Sequence, residues 1–234
     1  MNTFNEKTHA LVAGLYYREF CALDPQKGKE AFSADTRMHG ESRGRRMALR
    51  ALKDGEELSF RNYFRYSEWR PSTYSDSLRR PAAEVLSVAP DRVIVISCCL
   101  WHEQFQEMGL GEAEKIYCAE IDRAIVRGFS KDLQFSTEQT LLEHPCCIQR
   151  AVNAGMKEGE IVVRKEEYVK DFGFHCANSF YAYRKTGEDF FPGEGEKIAQ
   201  RVLKNIGKEL GKEAVMRIES YRDHDFADIG EENT

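Results

Sequence analysis

The stretch Asp91-Arg92-Val93-Ile94-Val95-Ile96-Ser97-Cys98-Cys99-Leu100-Trp101-His102 decides how the rest of the chain is read. Its β-branched run from Val93 to Ile96, bracketed by Ala89-Pro90 and Ser97, reads as a buried strand. That strand delivers Cys98 and Cys99 at its end. Two helices are expected to follow, from Trp101 to Met108 and from Glu112 to Arg127, separated by Gly109-Leu110-Gly111, with Gly128 as the second stop. Leu133 to Thr137 then alternates as a strand, and Cys147 to Val152 is expected to pair with it across the turn at His144-Pro145. Glu160 to Val163 offers one more strand.

Toward the N-terminus the pattern is helical. Thr8 to Cys21 carries Leu11, Leu15, Tyr16 and Phe20 near helical spacing. Gly44 to Leu52 is a good helix former stopped by Asp54-Gly55, and an aromatic helix is expected from Ser59 to Trp69, closed by Pro71. Toward the C-terminus, Tyr168, Phe172, Cys176, Phe180 and Tyr183 form a stripe on a helix expected to start at Lys165. A last helical region runs from Glu196 to about Tyr221, and the acidic end from Asp223 to Thr234 is expected to fray. Helices, strands, then helices again predict an α+β fold, with a helical N-terminal layer, a small mostly antiparallel sheet flanked by helices, and long C-terminal helices. A single domain over 1–234 is the simplest division, with a helical layer over 1–88, a strand-rich, cysteine-bearing core over 89–164 and C-terminal helices over 165–222.

At 234 residues, with 41% hydrophobic and 11% aromatic content, the chain can build a substantial core. The formal charge of -5 lacks the basic excess that nucleic acid would require, so a small-molecule substrate is the expected partner. No segment has the roughly 20 continuous apolar residues of a membrane helix, and Met1 to Lys7 does not resemble a signal peptide. These features predict a cytoplasmic protein, free to form a homo-oligomer, whose seven cysteines are thiols rather than a disulfide framework.

The chemistry-bearing residues gather around those thiols. Cys118 and Asp122 lie four apart on a predicted helix and so share one face. A carboxylate there raises the thiol pKa, which suits a ligand set or an acid/base partner better than an unaided nucleophile. His102 lies within one turn of either Cys98 or Cys99, close enough for the imidazole to take a thiol proton, and the spacing leaves open which of the two faces the pocket. Asp171 and His175 are four apart, a spacing that lets a carboxylate orient an imidazole. Tyr168 and Tyr183 could line the same wall, and Trp101 and Cys147 are counted with Tyr168 as substrate contacts. Among Arg43, Arg45, Arg46 and Arg50, Arg46 is taken as the guanidinium for a substrate carboxylate. Cys99, Cys118 and Cys147 could instead bind zinc, although their spacing matches no short zinc motif. The same thiols and imidazoles also read as ordinary packing residues.

Taken together, several stretches resemble the L-2-amino-thiazoline-4-carboxylic acid hydrolase family. They are Gly44-Arg45-Arg46-Met47-Ala48 with Asp54-Gly55, Gly109-Leu110, Tyr117 to Asp122, Ala124 to Phe129, Thr140-Leu141, Cys147 and Phe174-His175-Cys176. Leu100 and His144-Pro145 depart from the family pattern. The resemblance implies a cytoplasmic hydrolase that opens a cyclic isothiourea to a carbamoyl-cysteine; no cofactor is expected, with zinc at Cys99, Cys118 and Cys147 as the alternative. It points to Cys99, Cys118, Asp122, Cys147 and His175 as site residues, with His102 as a second candidate for proton transfer. The spacing of Cys118 and Cys147 is also similar to that of small-molecule-binding domains related to the 4-vinyl reductases, where cysteines can hold a metal. That second likeness implies a non-enzymatic binding or sensing module.

Overall fold

A computed structural model describes residues 4–78 and 83–229. Helix α1 (Glu6–Leu23) is capped by the Asn5 side chain, and α2 (Pro25–Lys53) by Asp24 with Pro25 in its first turn. Two short helices follow, α3 (Phe60–Arg65) and α4 (Thr73–Ser77), then strands β1 (Glu84–Ser87) and β2 (Arg92–Ile96). Next come α5 (Leu100–Glu107), α6 (Gly111–Phe129), β3 (Phe135–Gln139) and β4 (Cys147–Ala151). The chain ends in α7 (Phe172–Phe190), α8 (Gly195–Leu210) and α9 (Lys212–Glu219). All pairings in the sheet are antiparallel, in the order β1-β2-β4-β3. The α+β class and the strand pairing expected around Cys147 are therefore as the sequence predicts.

The helical layer is held by aromatic packing. Tyr16 and Phe32 both stack on Tyr183, with ring centroids 5.2 and 5.4 Å apart, so α1 and α2 meet α7 through one aromatic column. Ile198, Val202 and Ile206 line the buried face of α8 at helical spacing.

The α2–α6 crossing does most to position the site. An ideal Cβ on Gly44 would lie 1.9 Å from the Ile125 carbonyl oxygen, and one on Gly128 would lie 2.1 Å from that of Glu41. Backbone meets backbone there, and only glycine allows it. This corrects the reading of Gly128 as a helix stop: it lies inside α6, where it serves the crossing.

Other expectations are corrected as well. The helix expected over Ser59 to Trp69 ends at Arg65, with Tyr66 at its C-cap. Glu160 to Val163 forms no strand, and its Ile161 and Val163 are exposed, so no sheet edge recruits them. The helix expected from Lys165 is broken: a single 3-10 turn covers Glu166–Tyr168, and α7 starts at Phe172 with Asp171 as its N-cap. The last helical region is split at Gly211, whose φ of 87° a side chain would resist. The tail does not fray as far as Ile229, because the Phe226 and Ile229 carbonyls accept hydrogen bonds from Arg46 and Arg50. The remainder of that expectation, 230–234, lies outside the described residues.

Candidate active site

Strand and helix periods meet at the thiols. On β4, Cys147 and Gln149 are two apart and face the same side of the sheet. Gln149 Nε2 donates to Asp122 Oδ2 at 2.7 Å, so that side faces α6. Cys118, one turn before Asp122, shares the α6 face. Cys99 completes the group as the N-cap residue of α5, reached directly from β2, whose Ile96 is paired with Cys147.

The environment keeps these thiols protonated. Burial pushes Cys99 up to about 11, although the backbone N–H groups of His102 and Trp101 point toward its sulfur and favour the thiolate. Burial, reinforced by Asp122 and Cys99, carries Cys147 up to about 12. Cys118 is raised well above the ordinary thiol range by burial and by Cys99, Glu114, Asp122 and Cys147 around it. Burial also raises Asp122, against the pull of Arg43 and the Gln149 hydrogen bond. A cleft of about 70 Å³ opens beside Asp122 and Gln149, walled by Tyr63, Phe64, Arg92 and Phe135. All seven cysteines are free thiols.

Cys99, Cys118, Cys147 and Asp122 are thus brought into one electrostatic group, with Glu114 acting on Cys99 and Cys118 from beside it, while the other residues singled out from sequence make different side-chain contacts. His102 Nδ1 lies 2.6 Å from Glu114 Oε1, whose second oxygen accepts from Gln106 Nε2. Trp101 donates its indole N–H to His9 Nδ1 at 3.1 Å. His175 is not oriented by Asp171, which caps the Phe174 N–H and pairs with Arg217. Its Nε2 instead meets the Glu68 carbonyl oxygen at 3.2 Å. Burial, with Arg43 nearby, lowers His175 to about 3, so its imidazole is neutral. Arg46 holds Glu68 in a two-pronged bond of 2.9 and 2.8 Å, and Arg50 joins it at 2.7 Å. Tyr168 stacks on Tyr66 beneath the Arg50 guanidinium. Among the described residues, no three His, Cys, Asp or Glu side chains are arranged to hold a metal ion.

Sequence reasoning passed over Gln149, Glu68, His9 and His39. Gln149 could have been found, because strand alternation places it beside Cys147. His39 lies one turn before Arg43 on α2, again a legible spacing. Glu68 carries no local signal, since its partners are 18 and 22 residues away.

A family model described as L-2-amino-thiazoline-4-carboxylic acid hydrolase matches residues 5–150. That range takes in Cys99, Cys118, Asp122, Cys147 and Gln149 and stops before His175. No curated protein and no solved structure matches the chain.

Proposed function

The chain belongs to the L-2-amino-thiazoline-4-carboxylic acid hydrolase family, and from that membership we propose that it opens a small cyclic isothiourea such as 2-amino-thiazoline-4-carboxylate to a carbamoyl-cysteine. The observation that carries the reading is the grouping of Cys99, at a helix N-terminus, with a buried carboxylate, Asp122. An amidine-like substrate supplies what this group lacks, a base and a cation. Its nitrogen takes the Cys99 proton, and the amidinium so formed is held by Asp122 as the thiolate attacks the carbon between nitrogen and sulfur. The N–H groups of Trp101 and His102 stabilise the sulfur charge as it develops.

The new S–C bond replaces the ring C–S bond, and the ring sulfur leaves with a proton. Water then attacks the same carbon, the Cys99 sulfur departs, and one water has been consumed with both nitrogens retained in the product. His102, fixed by Glu114, is the nearest imidazole in sequence to take the proton from that water.

Ring opening followed by release of the free thiol tests this. Cys99→Ala is expected to lower kcat by about 1,000-fold or more, and Asp122→Asn to lower kcat/KM by about 10- to 100-fold. Unchanged rates in both variants would end the reading. A non-enzymatic binding module is the second reading, supported by burial that holds Cys99, Cys118 and Cys147 protonated, and recovery of intact ligand from the bound chain would select it.

A further inference from the structure

Behind Trp101 and Tyr117 lies a second polar cluster that the thiol chemistry leaves unused. His39 and Arg43 project one turn apart from α2, His9 comes from α1 and His175 from α7, and all four are at least nine-tenths buried. His9 Nε2, His39 Nε2, Arg43 Nε, His175 Nδ1 and the nearby Trp69 Nε1 have no hydrogen-bond partner in the protein. The His9 and His39 rings are 6.2 Å apart, His9 and Trp101 6.1 Å, and Trp101 and Trp69 5.8 Å.

Partner chemistry assigns the protons. An indole nitrogen only donates, so His9 Nδ1, which receives the Trp101 N–H, is an acceptor. A neutral His9 therefore carries its proton on Nε2, the atom without a partner. Arg43 Nε and Trp69 Nε1 are donors by constitution. His175 donates from Nε2 to the Glu68 carbonyl and is left as an acceptor at Nδ1. The unpartnered atoms are thus mostly donors, and the three imidazoles lie within electrostatic reach of the Arg43 guanidinium.

Charge points the same way. Glu68 is shared by Arg46 and Arg50, whereas Arg43 has no carboxylate within ion-pair distance among the described residues. Arg46 and Arg50 thus share Glu68, and the carboxylate that Arg43 acts on across a longer distance is the buried Asp122, whose own ionisation burial opposes. An unpaired buried cation among unpaired donors is expensive, and an anion meeting them would offset that cost.

We propose that Arg43, His9, His39 and Trp69 form an anion subsite that receives the carboxylate of the small substrate while its isothiourea carbon faces Cys99. The two sites adjoin through covalent neighbours: Trp101, which contacts His9, is two residues from Cys99, and Tyr117, whose hydroxyl lies 3.4 Å from His9 Nδ1, precedes Cys118. The subsite rests on the proposed hydrolase reading for the identity and orientation of its ligand, while the unpartnered donors about it stand on the structure alone.

Trp69 and Trp101 are the chain's two tryptophans, so their fluorescence reports occupancy. The titration uses a Cys99→Ala background, with 2-amino-thiazoline-4-carboxylate and, separately, 2-amino-thiazoline, which lacks the carboxylate. The carboxylated probe is expected to bind about 100-fold more tightly, the margin of a charged hydrogen-bonded pair, and Arg43→Gln to reduce that margin below about threefold without weakening the bare ring. A margin that survives Arg43→Gln, equal loss for both probes, or no preference for the carboxylate overturns the subsite.

If circular dichroism shows Arg43→Gln unfolded, Trp69→Phe replaces it: a margin reduced several-fold supports the subsite and an unchanged one overturns it. Carboxylate-dependent binding with no ring opening by the chain with Cys99 intact supports the subsite and sinks the hydrolase reading. Equal ring opening of both probes does the reverse, and binding of neither removes both.

Discussion

At the scale of single residues, Asp35 shows how far burial can shift a group. It sits on α2 with one oxygen accepting from Thr186 Oγ1 at 2.7 Å and the other without a partner. Burial pushes its carboxyl up to about 7. A raised acid binds its proton more tightly in the folded chain than in the unfolded one, where the value is about 3.9. Stability should therefore fall as pH rises from about 4 to 7 and stay at the lower level above that. Asp35→Asn keeps the shape but cannot ionise, so its melting temperature should exceed that of the parent by more at pH 8 than at pH 5. Differential scanning calorimetry at the two pH values checks this, and an equal offset at both would refute it.

At the scale of elements, the α2–α6 crossing sets the distance between the two halves of the site. Arg43 and His39 come from one helix and Tyr117, Cys118 and Asp122 from the other. Gly44→Ala must push the Ile125 carbonyl away from a Cβ that would lie 1.9 Å from it. Because the obstacle is backbone rather than a flexible side chain, the variant is expected to lose about 3 kcal/mol or more in urea unfolding. Gly111→Ala, where the nearest atom is Leu142 Cδ1 at an ordinary 3.5 Å, should stay within about 0.5 kcal/mol of the parent. Equal midpoints for the two variants would show that the crossing is not tight.

At the scale of the whole molecule, Glu68 ties together segments far apart in sequence. Its carboxylate holds Arg46 and Arg50 of α2, and its carbonyl accepts from Lys170 N and lies against His175 Nε2. The same two arginines fasten the tail through the Phe226 and Ile229 carbonyls. Burial alone would raise Glu68, but Arg46 and Arg50 outweigh it and hold the carboxyl down at about 2. A depressed acid stabilises the fold above its unfolded value of about 4.3 and loses that contribution as pH falls toward 2. Glu68→Gln should therefore cost about 3–5 kcal/mol at pH 7, because it leaves two buried guanidinium groups without their charge partner. The gap between variant and parent should narrow as pH drops from about 4 to 2. A gap that stays constant across that range, followed by urea unfolding, would contradict the account.

The sequence by itself determined what depends on neighbours a few residues apart. The β-branched run at Val93 makes β2, the period of α6 puts Cys118 and Asp122 on one face, and the alternating stretches on either side of His144-Pro145 pair as β3 and β4. These are legible because backbone geometry fixes side-chain direction over a turn or a pleat. Only the tertiary structure decided which arginine stays unpaired, that His175 meets Glu68 rather than Asp171, that Gly128 serves a crossing rather than an ending, and that the tail folds back. Each of those depends on segments brought together from up to about 180 residues apart. Their outcome is set by packing and by which buried charge finds a partner, and neither leaves a local trace in the chain.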